Sequence, residues 1–435
     1  MSASHSTAGA RTTTEVTVPG DKSLTHRALL FAALADGRSR IRAPLQGADT
    51  ESTAAALRQL GCPVPPLDAA GDVVIDGVGL RGLRQSAAMI DCGNSGTTAR
   101  LLMGILAGSD FESTLTGDAS LCSRPMRRVT EPLSRMGATF EELDRPDRLP
   151  IRMRGGELRS IDYTSPHASA QVKSAVLLAA LTAGVTAVVS EPVLSRDHTE
   201  RMLARLGVPL RSSVSSTGVH VEISPVPRLD PLDFDVPGDF SSAAFIIAFA
   251  CLHSERDIVI RNVGINPTRI GFLRVLEQMQ AKVQVENVRD VCGEPVADLR
   301  ASVSPLVAAR ITAADVPSLV DEIPIIAILA ARAAGTTIIE GAQELRVKES
   351  DRISAMVANL RAIGVDASEL PDGMVISGTD RPLAGNVRVL HDHRIALAFG
   401  VLTAVEDDRV QVDDPSVVQV SFPGYWDLLQ GLRLT

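Results

Sequence analysis

The chain has 435 residues, more than one hydrophobic core usually serves, so its length predicts two domains of about 200 residues each. Apolar residues make up 45% of the sequence, yet no apolar run reaches the roughly 18–20 residues of a membrane span. Only 3% of the residues are aromatic and the net charge is −9, which argues against a nucleic-acid partner. An anionic small molecule stays open, because local clusters of arginine and lysine can oppose the overall sign.

The N-terminal segment and the cysteines indicate the cellular compartment. Residues 1–13 are rich in Ser, Thr and Ala and lack the apolar core of a signal peptide, so we expect a disordered tail. The five cysteines are scattered, with no CxxC pair and no spacing typical of a metal site. We interpret them as small buried side chains in a reducing compartment. These features predict a cytoplasmic protein that holds no metal.

The first predicted elements surround the motif VPGDKSLTHR, residues 18–27. A Gly-Asp turn separates a strand that ends at Val18 from an apolar helix that begins near Ser23. Lys22 and Arg27 then lie at the N-terminal end of the helix, where backbone N–H groups and the helix dipole favour an anion. The alternative is a solvated helix start with ordinary surface charges.

The same pattern recurs six times along the chain. Each copy has a polar turn, an apolar helix rich in Ala, Leu and Ile, and then a β-branched strand. The copies begin at Val18, Cys92, Ser165, Val236, Val316 and Val389. An amphipathic helix follows in most copies, and short hairpins such as VVIDGVG and MVISGTD close four or five of them. Each unit is therefore predicted to be strand–helix–strand–helix–strand–strand, with the last unit cut short.

The two copies of VPGD divide the six units into two sets of three. This repeat predicts two similar α/β domains that face each other; the alternative is two unrelated α/β domains with a coincidental similarity. The predicted division is residues 21–236, residues 14–20 with 237–435, and hinges near 20–21 and 236–239.

The polar turns before the repeated helices contain most of the candidate functional residues. Because the units are equivalent, these turns are expected to converge, and helix N-termini that converge form an anion site. Ser, Thr, Asp or Asn would suffice for capping alone, so the additional Lys, Arg and Gln favour ligand binding. The residues are Lys22, Ser23 and Arg27; Asn94 to Thr98; Ser169 and Gln171; Asp321 and Glu322; and Asp392 and Arg394.

Two further motifs add charge to this set. Arg124 precedes a proline that stiffens its backbone. In ELRVKESDR, Lys348 and Arg352 share a helix face if the helix already includes Lys348, unless both are simply solvated. Asp321 and Glu349 supply carboxylates suited to acid–base work on a doubly anionic substrate. The sequence has neither a GK[ST] phosphate loop nor a GxGxxG after a strand, so it gives no support for a nucleotide cofactor.

Nine motifs in order make the chain resemble the 3-phosphoshikimate 1-carboxyvinyltransferase (EPSP synthase) family. They extend from about Thr14 to Leu429: PGDKSxxHR, NSGTT, LTGDxSLxxRPM, ASAQVKSA, SRDHTE, PGDFSSAAF, DEIP, LRVKESDR and HDHRIA. The resemblance implies two domains, each of three βαβαββ units with pseudo-threefold symmetry (an inside-out barrel), and a site that closes on substrate. It also implies transfer of the carboxyvinyl group of phosphoenolpyruvate to the 5-hydroxyl of shikimate 3-phosphate by a monomer, without cofactor or metal.

The resemblance also implies roles for particular residues. Lys22 would contact both substrates and join in proton transfer, Asp321 would accept the hydroxyl proton, and Glu349 with Lys348 would exchange protons with the methylene carbon. The residues implied for shikimate 3-phosphate are Lys22, Ser23, Arg27, Ser169, Gln171, Ser195, Arg196, Asp321 and Lys348. Those implied for phosphoenolpyruvate are Lys22, Gly96, Arg124, Gln171, Arg352 and Arg394.

The chain departs from the family pattern at two positions. Ala170 replaces a second serine of many relatives, so one phosphate contact is expected from backbone or from Arg196. Val420 stands where one branch has a phosphoenolpyruvate-binding lysine. Together with SRDHTE, these departures resemble the second class of the family, which tends to tolerate glyphosate better. Gly96 keeps the small residue associated with sensitivity, so the response to this inhibitor stays open.

Three alternatives remain at this point. The sister family that uses UDP-N-acetylglucosamine typically has a reactive cysteine where this chain has Ala119, and Cys122 is interpreted as a loop or packing residue. A paralogue with another shikimate-like acceptor would differ by only a few side chains. A non-catalytic anion-binding module would not need the complete set of Lys22, Asp321 and Glu349.

Overall fold

The computed structural model describes residues 12–67, 71–215, 218–253 and 256–434. Residues 1–11 of the predicted tail lie outside this range. The tail boundary needs one correction, because Thr13 already pairs in the first strand, opposite Asp257. In the described residues, no helix combines the length and the apolar character that crossing a membrane requires.

The α-helices of the described chain have these bounds: α1 (Lys22–Leu34), α2 (Ala48–Gln59), α3 (Gly96–Ala107), α4 (Ala119–Cys122), α5 (Arg127–Met136), α6 (Ala170–Ala183), α7 (His198–Arg205), α8 (Phe240–Leu252), α9 (Gly271–Gln278), α10 (Ile323–Arg332), α11 (Arg352–Ala362), α12 (His393–Val405) and α13 (Tyr425–Leu434).

The strands have these bounds: β1 (Thr13–Val16), β2 (Asp36–Arg42), β3 (Val73–Val78), β4 (Ile90–Asp91), β5 (Glu112–Thr116), β6 (Thr139–Glu142), β7 (Ile151–Arg154), β8 (Ile161–Thr164), β9 (Ala187–Glu191), β10 (Leu210–Ser215), β11 (Gly218–Ile223), β12 (Asp233–Asp235), β13 (Asp257–Gly264), β14 (Lys282–Val291), β15 (Glu294–Ser302), β16 (Arg310–Ile311), β17 (Thr336–Ile339), β18 (Asp366–Leu370), β19 (Gly373–Ser377), β20 (Gly385–Val387) and β21 (Val410–Val412).

Six helices, one per predicted unit, are buried almost throughout: α1, α3, α6, α8, α10 and α12. Their apolar residues surround the helix, as expected for a helix inside a core. Polar caps begin several of them: Asp21 accepts from the backbone N–H of Leu24 at 2.9 Å, and Ser95 from that of Thr98 at 3.1 Å. The caps therefore fix where these helices start, and α1 begins at Lys22, within one residue of the prediction.

Four sheets share one topology, in which the first strand is parallel to the second and a hairpin adds two antiparallel strands. Their strand orders are β1-β13-β15-β14, β4-β5-β7-β6, β8-β9-β11-β10 and β16-β17-β19-β18. With the intervening helices, this is the predicted βαβαββ unit. The last unit has only the parallel pair β20–β21 before α13.

The first unit corrects one prediction. VVIDGVG is not a hairpin but the single strand β3, which runs antiparallel to β2 from the pairing of Asp36 with Val78. The glycine that suggested a turn serves another purpose. A Cβ on Gly77 would lie 2.3 Å from the carbonyl oxygen of Ala35, so glycine permits a close approach to the end of α1.

The chain crosses between its two halves twice, and each crossing exchanges a strand. β1 joins the sheet of β13, whereas β12 pairs in parallel with β2. The two PGD segments meet between these strands: the N–H of Asp21 donates to Pro237 at 2.8 Å, and the N–H of Asp239 donates to Pro19 at 2.8 Å. The two copies of the repeated PGD motif are therefore joined by a reciprocal pair of backbone hydrogen bonds.

The buried apolar side chains form two clusters. One extends from Leu24 to Val236 and the other from Phe240 to Leu432, with Val16 and Val18 packed against the second. We call these the first half and the second half. Each half contains three of the buried helices. The polar turns lie at the N-terminal ends of these helices.

Candidate active site

Lys22 is held by a carboxylate that the sequence analysis did not identify. Its ammonium group forms an ion pair with Asp49, in the first turn of α2, and its backbone N–H donates to Asp239 of the second half at 3.0 Å. Burial alone would raise the pKa of Asp49, but Lys22 outweighs burial and lowers it. Lys22 therefore presents a fixed cation at the boundary between the halves.

Gly96 lies beneath two guanidinium groups. A Cβ on this residue would lie 2.6 Å from Nη1 of Arg100 and 3.5 Å from Nη1 of Arg124. Arg124 is oriented by Asn94, whose side-chain oxygen accepts at 2.6 Å. Because Gly96 has no side chain, the two guanidinium groups have room beside it. The sequence analysis expected Gly96 to contact phosphoenolpyruvate.

Arg100 also orients Gln171, a predicted substrate contact. The Nη1 of Arg100 donates to the amide oxygen of Gln171 at 2.8 Å, so the amide nitrogen points away and donates to Thr97 at 3.1 Å. Arg100 is buried, and burial lowers its pKa to about 9. The signal for this residue was present in the sequence as a lone charge inside the apolar helix α3.

Arg27, predicted to contact substrate, is buried among protein partners. Its Nε donates to Thr199 at 2.8 Å, and its terminal nitrogens donate to Ser174 at 3.1 Å and to the carbonyl of Ser23 at 3.0 Å. Burial lowers the pKa of Arg27 to about 10. Its guanidinium therefore joins α1 to α6 and α7, and Ser23 lies half-buried on the same turn.

Ser169 and Ser195 come from different loops of the first half but share one partner. The backbone N–H of Ser169 donates to Glu191 at 2.8 Å, and the hydroxyl of Ser195 donates to the same carboxylate at 2.7 Å. The neighbouring Arg196 points elsewhere: it reaches across to the second half and forms an ion pair with Asp321 at 2.6 Å.

Asp321 is surrounded by cations of both halves. Arg394 donates to its carbonyl oxygen at 3.1 Å and lies 3.8 Å from its carboxylate, and Arg352 lies at 3.9 Å. Burial alone would raise the pKa of Asp321, but Arg394 and Arg196 outweigh burial and hold it well below its ordinary value. Asp321 is thus an ionised carboxylate and a weak base as long as these cations remain beside it.

Glu349 and Arg352 form the second charged group of this half. Arg352 is only 1% exposed and forms an ion pair with Glu349, and its Nε donates to Asp392 at 2.8 Å. Burial alone would raise the pKa of Glu349, but Arg352 outweighs it, with further contributions from Arg124 and Lys22 of the first half. Charges from both halves therefore act on one carboxylate.

Lys348 does not share a helix face with Arg352. The helix α11 begins at Arg352 because Asp351 caps it by accepting from the N–H of Ser354 at 3.1 Å, so Lys348 lies in the preceding loop. Its ammonium pairs with Glu344 at 2.9 Å. The condition for a common face is therefore not met, although Lys348 still helps to lower the pKa of Asp321.

Two buried histidines near Lys22 are held neutral. Burial lowers the pKa of His26 to about 3 and that of His393 to about 4. Neither imidazole therefore supplies a cation at neutral pH. Among the residues that the structure describes, no group of His, Cys, Asp and Glu has the arrangement of a metal site.

The crossing point next to Lys22 is held together by Arg269, which the sequence analysis also missed. Its guanidinium pairs with Asp21 and Asp239, the latter at 3.0 Å, and donates to Ser241 at 2.9 Å. The hydroxyl of Ser241 in turn donates to Glu322. One arginine thus connects both PGD segments to the turn that carries Asp321.

Two cavities lie at the opposite ends of the buried helices. One, of about 510 Å³, is lined by the end of α6 and by residues that follow α1 and β3, and the other, of about 370 Å³, by the ends of α8, α10 and α12. Helix C-termini carry negative dipole ends, which disfavour an anion. The anion site is therefore expected at the N-terminal ends, where the halves meet.

Comparison with known proteins identifies the family of the chain. The sequence profile of the family described as EPSP synthase (3-phosphoshikimate 1-carboxyvinyltransferase) matches residues 6–429. The chain belongs to this family. A Sulfurihydrogenibium protein named 3-phosphoshikimate 1-carboxyvinyltransferase is 45% identical over 413 residues, which cover 95% of each chain.

Solved structures support the same family and fold. The EPSP synthase from Acinetobacter baumannii is 39% identical, with a TM-score of 0.84 over 98% of this chain and 96% of that one. The enolpyruvyl transferase NikO from Streptomyces tendae has a TM-score of 0.75 over 98% and 95%, at 17% identity, and so shares the fold alone. The predicted two-domain α/β fold of EPSP synthases is confirmed.

Three residues that the sequence analysis compared with family patterns have defined surroundings in the structure. Val420 of the second half places its carbonyl oxygen 2.6 Å from where a Cβ on Gly47 of the first half would be, so the two backbones approach closely there. Cys122 directs its thiol to the carbonyl of Gly117 at 3.3 Å, as expected for a packing cysteine. Ala119 begins the short helix α4.

Proposed function

We propose that this protein transfers the enolpyruvyl group of phosphoenolpyruvate to the 5-hydroxyl of shikimate 3-phosphate, giving 5-enolpyruvylshikimate 3-phosphate and phosphate. The observation that carries the proposal is that Arg196 of the first half pairs with Asp321 of the second at 2.6 Å, next to Arg352 and Arg394. Two substrates that both carry phosphate and carboxylate match this concentration of cations. The family supports the substrates; the residue roles below are inferred.

In the addition step, Asp321 accepts the proton of the 5-hydroxyl while the hydroxyl oxygen bonds to C2 of phosphoenolpyruvate. The methylene carbon C3 takes a proton at the same time, so the product is a tetrahedral adduct with a methyl group. We assign this proton to Lys22, for which the family resemblance implies a part in proton transfer; its ammonium also contributes to the lowered pKa of Glu349. Lys348 contributes to the lowered pKa of Asp321, and its part in proton exchange at the methylene carbon, implied by the resemblance, stays a prediction.

In the elimination step, the adduct loses phosphate from C2 and a proton from the methyl group, which restores the double bond. Glu349 is held ionised by Arg352 and its neighbours, so it is the carboxylate suited to accept this proton. Protons balance over the two steps: the proton accepted by Glu349 replaces the one given by Lys22, and the proton accepted by Asp321 passes to the phosphate, which leaves with the electrons of its bond to C2.

The remaining predicted residues are assigned to binding. For shikimate 3-phosphate, the assigned groups are Lys22, Ser23, Arg27, Ser169, Gln171, Ser195, Arg196, Asp321 and Lys348. For phosphoenolpyruvate, they are Lys22, Gly96, Arg124, Gln171, Arg352 and Arg394. Arg100 and Asp49 position two of them, Gln171 and Lys22. Arg27 and Arg352 are only 3% and 1% exposed, so little of each guanidinium is accessible to a substrate.

The two halves are proposed to be the predicted domains, residues 21–236 and residues 14–20 with 237–435. Support comes from two separate apolar clusters and from the two crossings between them. We further propose a cytoplasmic monomer, since the substrates are small metabolites and family resemblance implies one chain per site.

The test measures phosphate release from phosphoenolpyruvate by the purified protein. Release is expected only when shikimate 3-phosphate is present, with one enolpyruvyl ether formed per phosphate, as followed by ³¹P NMR. Turnover with UDP-N-acetylglucosamine or another acceptor, and none with shikimate 3-phosphate, would overturn the assignment.

A matched pair of variants tests the site. Lys22→Ala is expected to lose activity by about 100-fold or more while keeping its circular dichroism spectrum, because the ammonium acts on both substrates. Lys282→Ala removes an exposed lysine on β14 and should leave turnover unchanged. Near-normal turnover in Lys22→Ala would contradict the assigned role.

A further inference from the structure

A buried cluster of charges in the first half has no part in the chemistry proposed above. Lys173 on α6 is fully buried and pairs with Glu191 at 3.0 Å and with Glu200 at 2.8 Å. Burial alone would lower the pKa of Lys173, but Glu200 and Glu191 outweigh it and raise the pKa, so the ammonium stays charged. Burying ionised groups is unfavourable even when they are paired, so such a cluster calls for a functional explanation.

The carboxylate of Glu191 joins two loops that are otherwise separate. One oxygen accepts the N–H of Ser169 at 2.8 Å, and the hydroxyl of Ser195 donates to both oxygens at 2.9 and 2.7 Å. The N–H of Ser195 adds a longer bond at 3.4 Å. Lys173 also donates to the carbonyl of Ser195 at 3.3 Å. Glu191 and Lys173 therefore fix the positions of the two serines.

The two serine hydroxyls are not needed to support the fold locally. Ser169 precedes α6 but makes no capping bond to it within the described chain, unlike Ser95 before α3. Ser195 donates to a carboxylate that keeps three other donors, so its hydroxyl can rotate toward a ligand without leaving Glu191 unpaired. Both hydroxyls are thus available to an acceptor group such as a phosphate oxygen.

We propose that Glu191, held by Lys173, is the positioning residue that sets the two serines for the phosphate of the acceptor substrate. The inference rests on the proposed function and deepens it, since it names which part of the acceptor this cluster recognises. A carboxylate behind a phosphate site would repel the ligand if it were unpaired. Lys173 and the nearby Arg27 balance the charges of Glu191 and Glu200, so the cluster contributes no net repulsion.

The first test is Glu191→Gln, assayed by steady-state kinetics with each substrate varied in turn. The amide keeps the size of the side chain but cannot accept two donors and an ammonium together. We expect the KM for shikimate 3-phosphate to rise about tenfold, with kcat and the KM for phosphoenolpyruvate within about twofold. Equal changes in both KM values, or no change in either, would overturn the proposal.

The matched control is Glu406→Gln. Glu406 is also buried, pairs with Arg332 and Arg409, and accepts the N–H of Leu383 at 3.2 Å, but it lies at the far end of the second half. It should leave both KM values unchanged. A rise in the KM for shikimate 3-phosphate in this control would show that the effect of Glu191→Gln is a general loss of packing, and would overturn the proposal.

A charge rescue separates positioning from a merely structural role. Lys173→Met leaves Glu191 uncompensated behind the phosphate, so shikimate 3-phosphate should bind more weakly than to Glu191→Gln. The double variant removes both charges and should regain part of the affinity and of the thermal stability. No regain of affinity in a folded double variant would contradict the charge argument.

Binding to free protein keeps this inference distinct from the proposed function. Calorimetric titration with shikimate 3-phosphate and with shikimate, which lacks the phosphate, does not depend on turnover. Glu191→Gln should weaken only the phosphorylated ligand, by about tenfold. If wild type binds shikimate 3-phosphate but does not turn it over, the proposed function fails while this comparison still decides the inference. Equal weakening of both ligands would overturn it.

Discussion

At the scale of single residues, the ionised state of the carboxylates depends on cations from both halves. Asp321 has Arg394 from its own half and Arg196 from the other, at 3.8 and 2.6 Å. Such pairing keeps the carboxylate charged but makes it a poor proton acceptor. The predicted contact of Arg196 with the acceptor phosphate resolves this conflict. If the phosphate draws Arg196 away, the basicity of Asp321 increases as the substrate arrives.

Arg196→Ala tests this exchange of partners. Burial raises the pKa of Asp321 and Arg196 is among the cations that lower it, so removal of Arg196 raises the pKa. The pH profile of kcat/KM reports the ionisations of the free enzyme, so its acid limb should move to higher pH. The KM for shikimate 3-phosphate should also rise about tenfold, since a charged phosphate contact is lost.

Two controls accompany this variant. Arg205→Ala removes an exposed arginine from the last turn of α7 and should leave the profile in place. Asp321→Asn should lower kcat by about 100-fold or more, because the proton acceptor is gone. An acid limb that does not move in Arg196→Ala would refute the exchange.

At the scale of elements, the start of α1 and that of α8 are coupled through Arg269. The two caps, Asp21 and Asp239, belong to equivalent turns, and both are buried against one guanidinium. Each cap accepts backbone N–H groups of its own helix, so the arginine neutralises two charges that the helix starts require. The exchange of β1 and β12 brings these turns together, which makes the crossing a compact structural joint.

Arg269→Met is expected to destabilise the protein by about 3–5 kcal/mol in urea unfolding, because two buried carboxylates lose their partner. Arg38→Met, which breaks a fully exposed pair with Asp76, should leave the urea midpoint nearly unchanged. Equal effects of the two changes would contradict this role of the crossing.

The ion pair between Asp239 and Arg269 predicts a pH dependence of stability. Burial alone would raise the pKa of Asp239, but Arg269 outweighs it and lowers the pKa in the folded state. The stabilisation is therefore present above pH 3.8, the ordinary value, and is lost as the pH falls through the lower folded value. The difference between wild type and Arg269→Met should shrink in that range, as followed by urea unfolding at several pH values.

At the scale of the whole molecule, two halves with separate apolar cores are joined by two strands that cross at the PGD segments. Charged residues meet between them, and the second half supplies Asp321 and Glu349 while the first supplies Lys22 and Arg196. An arrangement of this kind permits a hinge motion about the crossing, with anionic substrate as the link between opposed cations.

Addition of shikimate 3-phosphate is accordingly expected to reduce the radius of gyration in small-angle X-ray scattering. Sodium chloride at matched ionic strength controls for screening of the surface charges. A radius that stays the same when the site is saturated would contradict closure of the two halves.

The sequence by itself determined the repeated units, the polar turns and the family, because these depend on local patterns: apolar helices, caps and motifs in a fixed order. It predicted most of the helix starts, since caps such as Asp21 act within one turn. It misread VVIDGVG, because the role of Gly77 lies in its contact with the end of α1. It left open whether the helix includes Lys348; the cap Asp351 starts that helix at Arg352 instead.

Only the tertiary structure decided which charges are paired. Asp49, Glu191 and Arg269 were not predicted, because each acts through partners that are distant in sequence and ordinary in type. An acidic residue in a first helical turn or at the end of a strand has no local signature of such a role. The exchange of β1 and β12 between the halves is likewise a matter of long-range pairing. Burial then fixes the energetic weight of each charge, and burial depends on how the two halves pack.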